Sequence, residues 1–167
     1  MKNFLQRCGL GILILACTVG AARAQPRFPP LDFADDLAAL GTLAVARGTP
    51  VMLVFTRPDC PFCRRAKKDH LEPLRVSENY GAKIIIREIA AADHRLALRD
   101  FDGDLTTHGE FARKHAVRKV PTVMVVDAHG RLLAEPLIGL ITPDFYNLYL
   151  ERAIDEGRLR LRSRAAQ

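Results

Sequence analysis

"VMLVFTRPDCPFCRRA", Val51 to Ala66, sets a continuously apolar, β-rich run against two cysteines separated by only two residues, with basic residues close behind. A short run of that kind, bounded by turn residues, predicts a strand buried on both faces. Pro61 suits the first turn of a following helix, where its missing N–H would have no partner in any case. Cys60 is thereby placed where strand gives way to helix, and unpaired N–H groups and the macrodipole favour its thiolate over the thiol. Cys63 lies about one turn deeper, within reach for a disulfide with Cys60.

Three chemistries compete for this pair. A structural metal site needs about four ligands, and no second CxxC or spaced histidine pair completes one; His70, His94, His108, His115 and His129 are scattered. A Cu(I) site using both thiolates is the metal alternative. A static clip would close so small a loop that it constrains the unfolded chain little. CxxC ahead of a helix in a βαβ setting favours thiol-disulfide exchange, with Cys60 attacking and Cys63 resolving. Arg57, Arg64 and Arg65 can lower the Cys60 pKa or serve only as a solvated helix face.

Working outward, Phe33, Leu37, Leu40 and Ala44 recur at helical steps up to Gly48. The chain after Cys60 reads as helix to about Tyr80, interrupted near Pro73, and "AKIIIREIA" is a second buried strand. Residues 93 to 106 read as a loop turning at Gly103, followed by a helix whose capping box is Thr107 and Glu110. "PTVMVVD" is a third strand and "RLLAEPLIG" its antiparallel partner. Thr142 is expected to cap a last helix that begins at Pro143 and ends at Gly157. This order defines an α/β domain with a mixed sheet and helices on both faces. Pro121 stands at the mouth of the third strand, where proline is tolerated. A cis Val120-Pro121 bond would leave the Val120 backbone free to pair with a substrate strand; a trans strand-opening proline is the plain alternative.

The first residues read as a cleaved secretory signal over 1 to 24: Lys2 and Arg7, the apolar "CGLGILILACTVG", then Ala22-Arg23-Ala24. Cys17 after "ILA" is a minor lipoprotein alternative. The signal predicts a periplasmic location, where disulfides persist, and leaves Cys60 and Cys63 as the mature cysteines. Losing Lys2, Arg7 and Arg23 takes the formal charge of +6 to about +3, spread along the chain. That is a mildly basic surface and not a nucleic-acid footprint. Residues 25 to 30, "QPRFPP", form an extended lead-in; residues 31 to 157 are the domain; residues 158 to 167 are a basic tail.

These segments resemble the thioredoxin superfamily: "VMLVF", Cys60-Pro61-Phe62-Cys63, Val120-Pro121-Thr122, "VMVVD", the turn "AHG" and Gly139. More narrowly, "RPDCPFCRRA" with "DFDGDLTTHGEFARKHAVRKVPTVMVVDAHGRLL" is similar to periplasmic thioredoxin-like proteins, including those associated with bacterial sulfur oxidation. The resemblance implies a thioredoxin-like fold with a central mixed sheet, Cys60 as exposed nucleophile, Cys63 as buried resolving thiol and Pro121 as a cis-proline facing them. It implies exchange with protein or small-molecule disulfides and with a membrane-bound electron-transfer partner, without a cofactor or metal. Substrate contacts fall to Pro61, Phe62, Val120 and Pro121. No dimerisation segment is visible, so a monomer is expected. The chain departs from the family at Val54, where thioredoxins bury an acid, and at Asp59, where they carry tryptophan. Asp59 is assigned here as the helix cap.

Overall fold

The computed structural model describes residues 28–166. The signal reading over 1 to 24, with Cys17, lies outside the described residues, as does the start of the lead-in. Helix α1 (Leu37–Arg47) leads into strand β1 (Val51–Thr56). Helix α2 (Pro61–Ala66), a π-helical stretch (Lys67–Leu71) and α3 (Glu72–Arg75) follow without a break, then β2 (Ile85–Ala90). A hairpin of β3 (Ala97–Arg99) and β4 (Leu105–Thr107) precedes α4 (His108–Lys114). Strands β5 (Thr122–Val126) and β6 (Leu137–Ile138), a 3₁₀ turn (Pro143–Phe145) and α5 (Tyr146–Ala165) complete the chain.

The four-stranded sheet has the order β2-β1-β5-β6, with β1 parallel to β2 and antiparallel to β5. The β-rich run of β1 is buried along its whole length because its side chains feed two cores in alternation. Met52 and Val54 pack with Leu71, Leu74, Leu150 and Ile154, on the face covered by α2, α3 and α5. Val51, Leu53 and Phe55 pack with Leu37, Leu40 and Phe111, under α1 and α4. The mixed sheet with helices on both faces is therefore as expected.

Several local expectations are corrected. The first helix starts at Leu37, capped by Asp36, whose carboxylate accepts from the Ala39 N–H at 2.7 Å. Phe33 lies upstream in extended chain that pairs with the β2 edge: Glu88 N–H donates to Asp32 O and Ala34 N–H to Glu88 O, each at 2.9 Å. This covers an otherwise open edge. The helix after Cys60 ends at Arg75, short of Tyr80, and its π turn falls just before Pro73, which cannot donate to the preceding turn. The expected loop over 93 to 106 contains the β3–β4 hairpin, whose turn is organised by Asp100: its Oδ1 accepts from the N–H groups of Asp102 and Asp104. Thr107 does cap α4, accepting from the Glu110 N–H at 3.3 Å.

The last helix differs most. Thr142 has φ +47° and makes no capping bond, so Pro143 opens a 3₁₀ turn and not the α-helix itself. Gly157 does not end α5, which runs on to Ala165; a Cβ there would meet Val125 Cγ1 at 2.7 Å. Its missing side chain serves the close approach of helix to sheet. Arg164 then reaches Asp127 at 2.9 Å. Gly41 has the same role in α1, where a Cβ would overlap the Ala128 carbonyl oxygen.

Two outcomes follow from this packing. Gly41→Ala meets rigid backbone, and overpacking of that kind costs about 1–3 kcal/mol against the roughly 1 kcal/mol of helix propensity that alanine adds. Urea unfolding is expected to show a net loss of up to about 2 kcal/mol. His108 is fully buried, with Nδ1 accepting from the Ala90 N–H at 3.0 Å and Nε2 bonded to Ala34 O at 2.8 Å. Burial pushes its imidazole below the ordinary 6.5, and burial with the Lys114 charge does the same to His115. The folded state therefore favours the neutral rings. Their contribution to stability is whole above pH 6.5 and is lost as pH falls through that value toward the folded pKa, by up to about 1.4 kcal/mol per pH unit for each histidine. Unfolding free energies at about pH 7 and pH 5 should differ accordingly, and less so in His108→Gln.

Candidate active site

Strand β1 ends at Thr56, and the turn Arg57-Pro58-Asp59 carries the chain into α2. The residue that caps this helix is Cys60: its Sγ accepts from the Cys63 N–H at 3.1 Å. Asp59 does not cap; its side chain is 74% exposed and faces Arg57 at 3.5 Å. Strand-to-helix geometry hands the cap to the residue immediately before Pro61, and that residue is the cysteine. Cys60 and Cys63 form a disulfide with Cα atoms 5.2 Å apart.

Because β5 runs antiparallel to β1, its first residues lie beside the end of β1, with Thr122 opposite Phe55. The Val120-Pro121 peptide bond just before it is cis, and the Val120 carbonyl oxygen lies 3.8 Å from Cys60 Sγ. Cys60, Pro61, Phe62, Val120 and Gly139 line one groove, with Arg118 and Lys119 on its rim. The site residues expected from the sequence are thus brought together, with Cys63 bonded to Cys60 and Pro121 joined to Val120 through the cis bond. Accessibility is narrower than the resemblance implies: Cys60 is 6% exposed and Cys63 1%. The open contact surface is Phe62, at 62%.

One group was not anticipated. Val54 is fully buried, as an apolar residue should be, but its register partner on β2 is Glu88, itself 3% exposed. A buried carboxylate therefore stands on β2, one strand over from Val54. Thr56 Oγ1 donates to Glu88 Oε1 in a short hydrogen bond, and Lys67 Nζ donates to both carboxylate oxygens at 2.8 and 3.0 Å. Lys67 follows Cys63 by four residues, so both lie on the helix face turned to the sheet. The alternation of side-chain direction along β2 was the available signal: Ile86 and Glu88 share a face, so a carboxylate in an apolar run had to find a cation on the covering helix. Among the described residues no group of three or more His, Cys, Asp or Glu is placed to hold a metal ion, and no helix is long and apolar enough to cross a membrane.

The fold and the paired cysteines define a thioredoxin-like protein, and the chain matches the thioredoxin-like domain family over residues 42–154. It belongs to that family. It is 31% identical over 131 residues to the methylamine utilization protein MauD of Methylophilus methylotrophus, covering 77% of this chain and 61% of that protein. It is 34% identical over 100 residues to MauD of Methylobacillus flagellatus, covering 56% and 46%. The chain thus spans less than two thirds of the length of these relatives. Among solved structures, oxidised mitochondrial thioredoxin 3 of Saccharomyces cerevisiae matches with a TM-score of 0.50 at 17% identity, covering 75% of this chain and 94% of that one, a likeness of fold.

Removing one partner of the buried pair leaves the other charge uncompensated. Lys67→Met is expected to destabilise the protein by about 2–3 kcal/mol, at or below the roughly 3–5 kcal/mol of fully buried pairs because Lys67 is partly exposed. Lys67→Met with Glu88→Gln, which removes both charges, should recover most of that loss in chemical denaturation.

Proposed function

We propose that this protein is a periplasmic thiol-disulfide oxidoreductase that reduces protein or small-molecule disulfides through Cys60 and Cys63. The observation that carries the reading is the disulfide at the start of α2 with the cis Val120-Pro121 backbone against Cys60. The thioredoxin-like family supports exchange chemistry, and the secretory pattern at the start of the sequence supports the compartment.

In the reduced protein, the Cys63 N–H that now meets Cys60 Sγ, together with the other unpaired N–H groups of the helix start, stabilises a Cys60 thiolate. That thiolate attacks one sulfur of a substrate disulfide; the other leaves as a thiolate and takes up a proton. A mixed disulfide joins Cys60 to the substrate. Cys63 gives up its proton and its thiolate attacks Cys60 Sγ, breaking the mixed bond and releasing the second substrate sulfur. Two electrons have then passed to the substrate, and the Cys60–Cys63 disulfide is the product in the protein. A reductase upstream, by the family resemblance membrane-bound, must return two electrons. Phe62 and the Val120 and Pro121 backbone hold the substrate chain across the sulfur, and the protein works as a monomer without a cofactor.

Cys63→Ser is expected to accumulate a mixed disulfide at Cys60 when the reduced protein meets cystine-containing clients, and Cys60→Ser to form none, as read by non-reducing electrophoresis and mass spectrometry. Capture through Cys63 alone would reverse the two roles. Submicromolar Cu(I) binding that needs both sulfurs, with no disulfide reduction, would overturn the proposal in favour of copper handling.

A further inference from the structure

Beside the disulfide groove, and continuous with it at Arg57, Ala92 and His94, lies a second cavity of about 770 Å³. That volume is within the range of sites that enclose a ligand side chain or small molecule. The space exists because Thr56, Ala90 and Ala92 are small where α2 faces the segment after β2. Phe33, Pro58 and Leu96 give the cavity apolar walls, and Phe33 and Leu96 are 50% and 37% exposed. Its floor is polar and already satisfied, since Glu88 takes both Lys67 and Thr56.

Cations outnumber carboxylates around the two cavities: Arg57, Arg64, Lys67, Arg95, Arg118 and Lys119 against Asp59, Glu88 and Asp93. Asp93 turns Oδ1 to the N–H groups of Arg95 and Leu96 at 2.8 and 2.9 Å, and Asp59 faces Arg57 at 3.5 Å. Glu110 lies against His94 and Arg113. Arg64 is held over the second cavity by donating to Pro58 O at 3.2 Å. Among the described residues Arg64, Arg95, Arg118 and Lys119 have no carboxylate partner within 4.0 Å; the first two line the second cavity and the last two the disulfide groove. A surplus of cations on both sides of one sulfur repels a basic chain and attracts an acidic one.

Resting on the exchange activity proposed above, we infer that the clients are polypeptides whose reactive cysteine is flanked by acidic residues. The client lies extended over Cys60, puts an apolar side chain between Phe33 and Leu96, and sets carboxylates against Arg64 and Arg95 on one side and Arg118 and Lys119 on the other. A small disulfide would fill only one of the two cavities; an extended chain crosses both at Arg57 and His94.

The test uses the reduced protein and three cystine peptides that differ only in flanking residues, Glu, Gln or Lys, with uncharged hydroxyethyl disulfide as internal reference. Each peptide rate is divided by the reference rate of the same protein, which removes any change in Cys60 reactivity. The acidic peptide should react about tenfold or more faster than the basic one at low salt, and the preference should shrink toward unity near 0.5 M salt. Arg64→Glu with Arg95→Glu, and separately Arg118→Glu with Lys119→Glu, should lower the acidic ratio and raise the basic one. These four side chains are exposed, so folding is not at stake. Equal wild-type rates for acidic and basic peptides, or variants that shift all three ratios alike, would overturn the inference and leave the exchange activity standing. Failure of the wild type to reduce even hydroxyethyl disulfide would overturn both.

Discussion

The register of β1 between its two neighbours is the constraint on which the site rests. Cys60 and Val120 are 60 residues apart in sequence and meet because β5 runs back along β1 with Thr122 opposite Phe55. The opposite edge of β1 pairs residue for residue with β2, from Val51 with Ile85 to Thr56 with Ala90. A slip of one residue would exchange Met52 and Val54 with Leu53 and Phe55 between the two cores and would carry the Val120 backbone away from the sulfur. Side chains of different size on the two faces therefore hold the register, and through it the geometry at Cys60.

This division explains what could be read from the sequence. β1, β5 and the cysteine pair were legible because a strand buried on both faces is a continuous apolar run and because CxxC before a helix is specific. The hairpin over 97 to 107 was not, since of its three-residue strands only Leu98 is deeply buried and its order comes from Asp100 accepting turn N–H groups and from Lys114. Gly157 carried two compatible meanings, a helix end or a close approach, and only the position of Val125 decides between them. Thr142-Pro143 has the residue types of a helix start, yet the positive φ at Thr142 directs its hydroxyl away from the cap. Phe33 fitted a helical period by spacing, but the chain there answers to the unpaired edge of β2.

Glu88 shows why a missing motif residue is weak evidence of a missing environment. The absence of an acid at Val54 is plain in the sequence, whereas its cross-strand neighbour is visible only through the register. A carboxylate on β2 and a lysine on the covering helix bring together groups 21 residues apart, at a cost in desolvation that the Thr56 hydroxyl and two Lys67 contacts offset. The buried ionic pair and Cys63 share one helical face and one side of the sheet. The electrostatic setting of Cys63 is therefore composed differently from that of a thioredoxin with its acid on β1, and redox behaviour does not carry over by matching residue positions.

The distribution of ion pairs connects stability with recognition. Away from the disulfide, acidic residues are committed to the fold: Asp32 to Arg75, Asp36 to Arg99, Asp100 to Lys114, and Asp127 to both Arg131 and Arg164. Asp127 is the clearest case. Burial alone would raise its carboxyl pKa, but the N–H groups of Arg131 and His129 and the Arg131 guanidinium hold it below the ordinary 3.8. It sits at the far end of β5 from Cys60, where it closes the turn and ties down α5. Individually, exposed pairs of this kind add little stability. They commit those carboxylates to the fold, while among the described residues Arg64, Arg95, Arg118 and Lys119 around the disulfide have no carboxylate within 4.0 Å. A chain of modest net positive charge thus carries a surplus of cations around the Cys60–Cys63 disulfide, and charge of that kind acts on the rate of encounter with a partner more than on buried area.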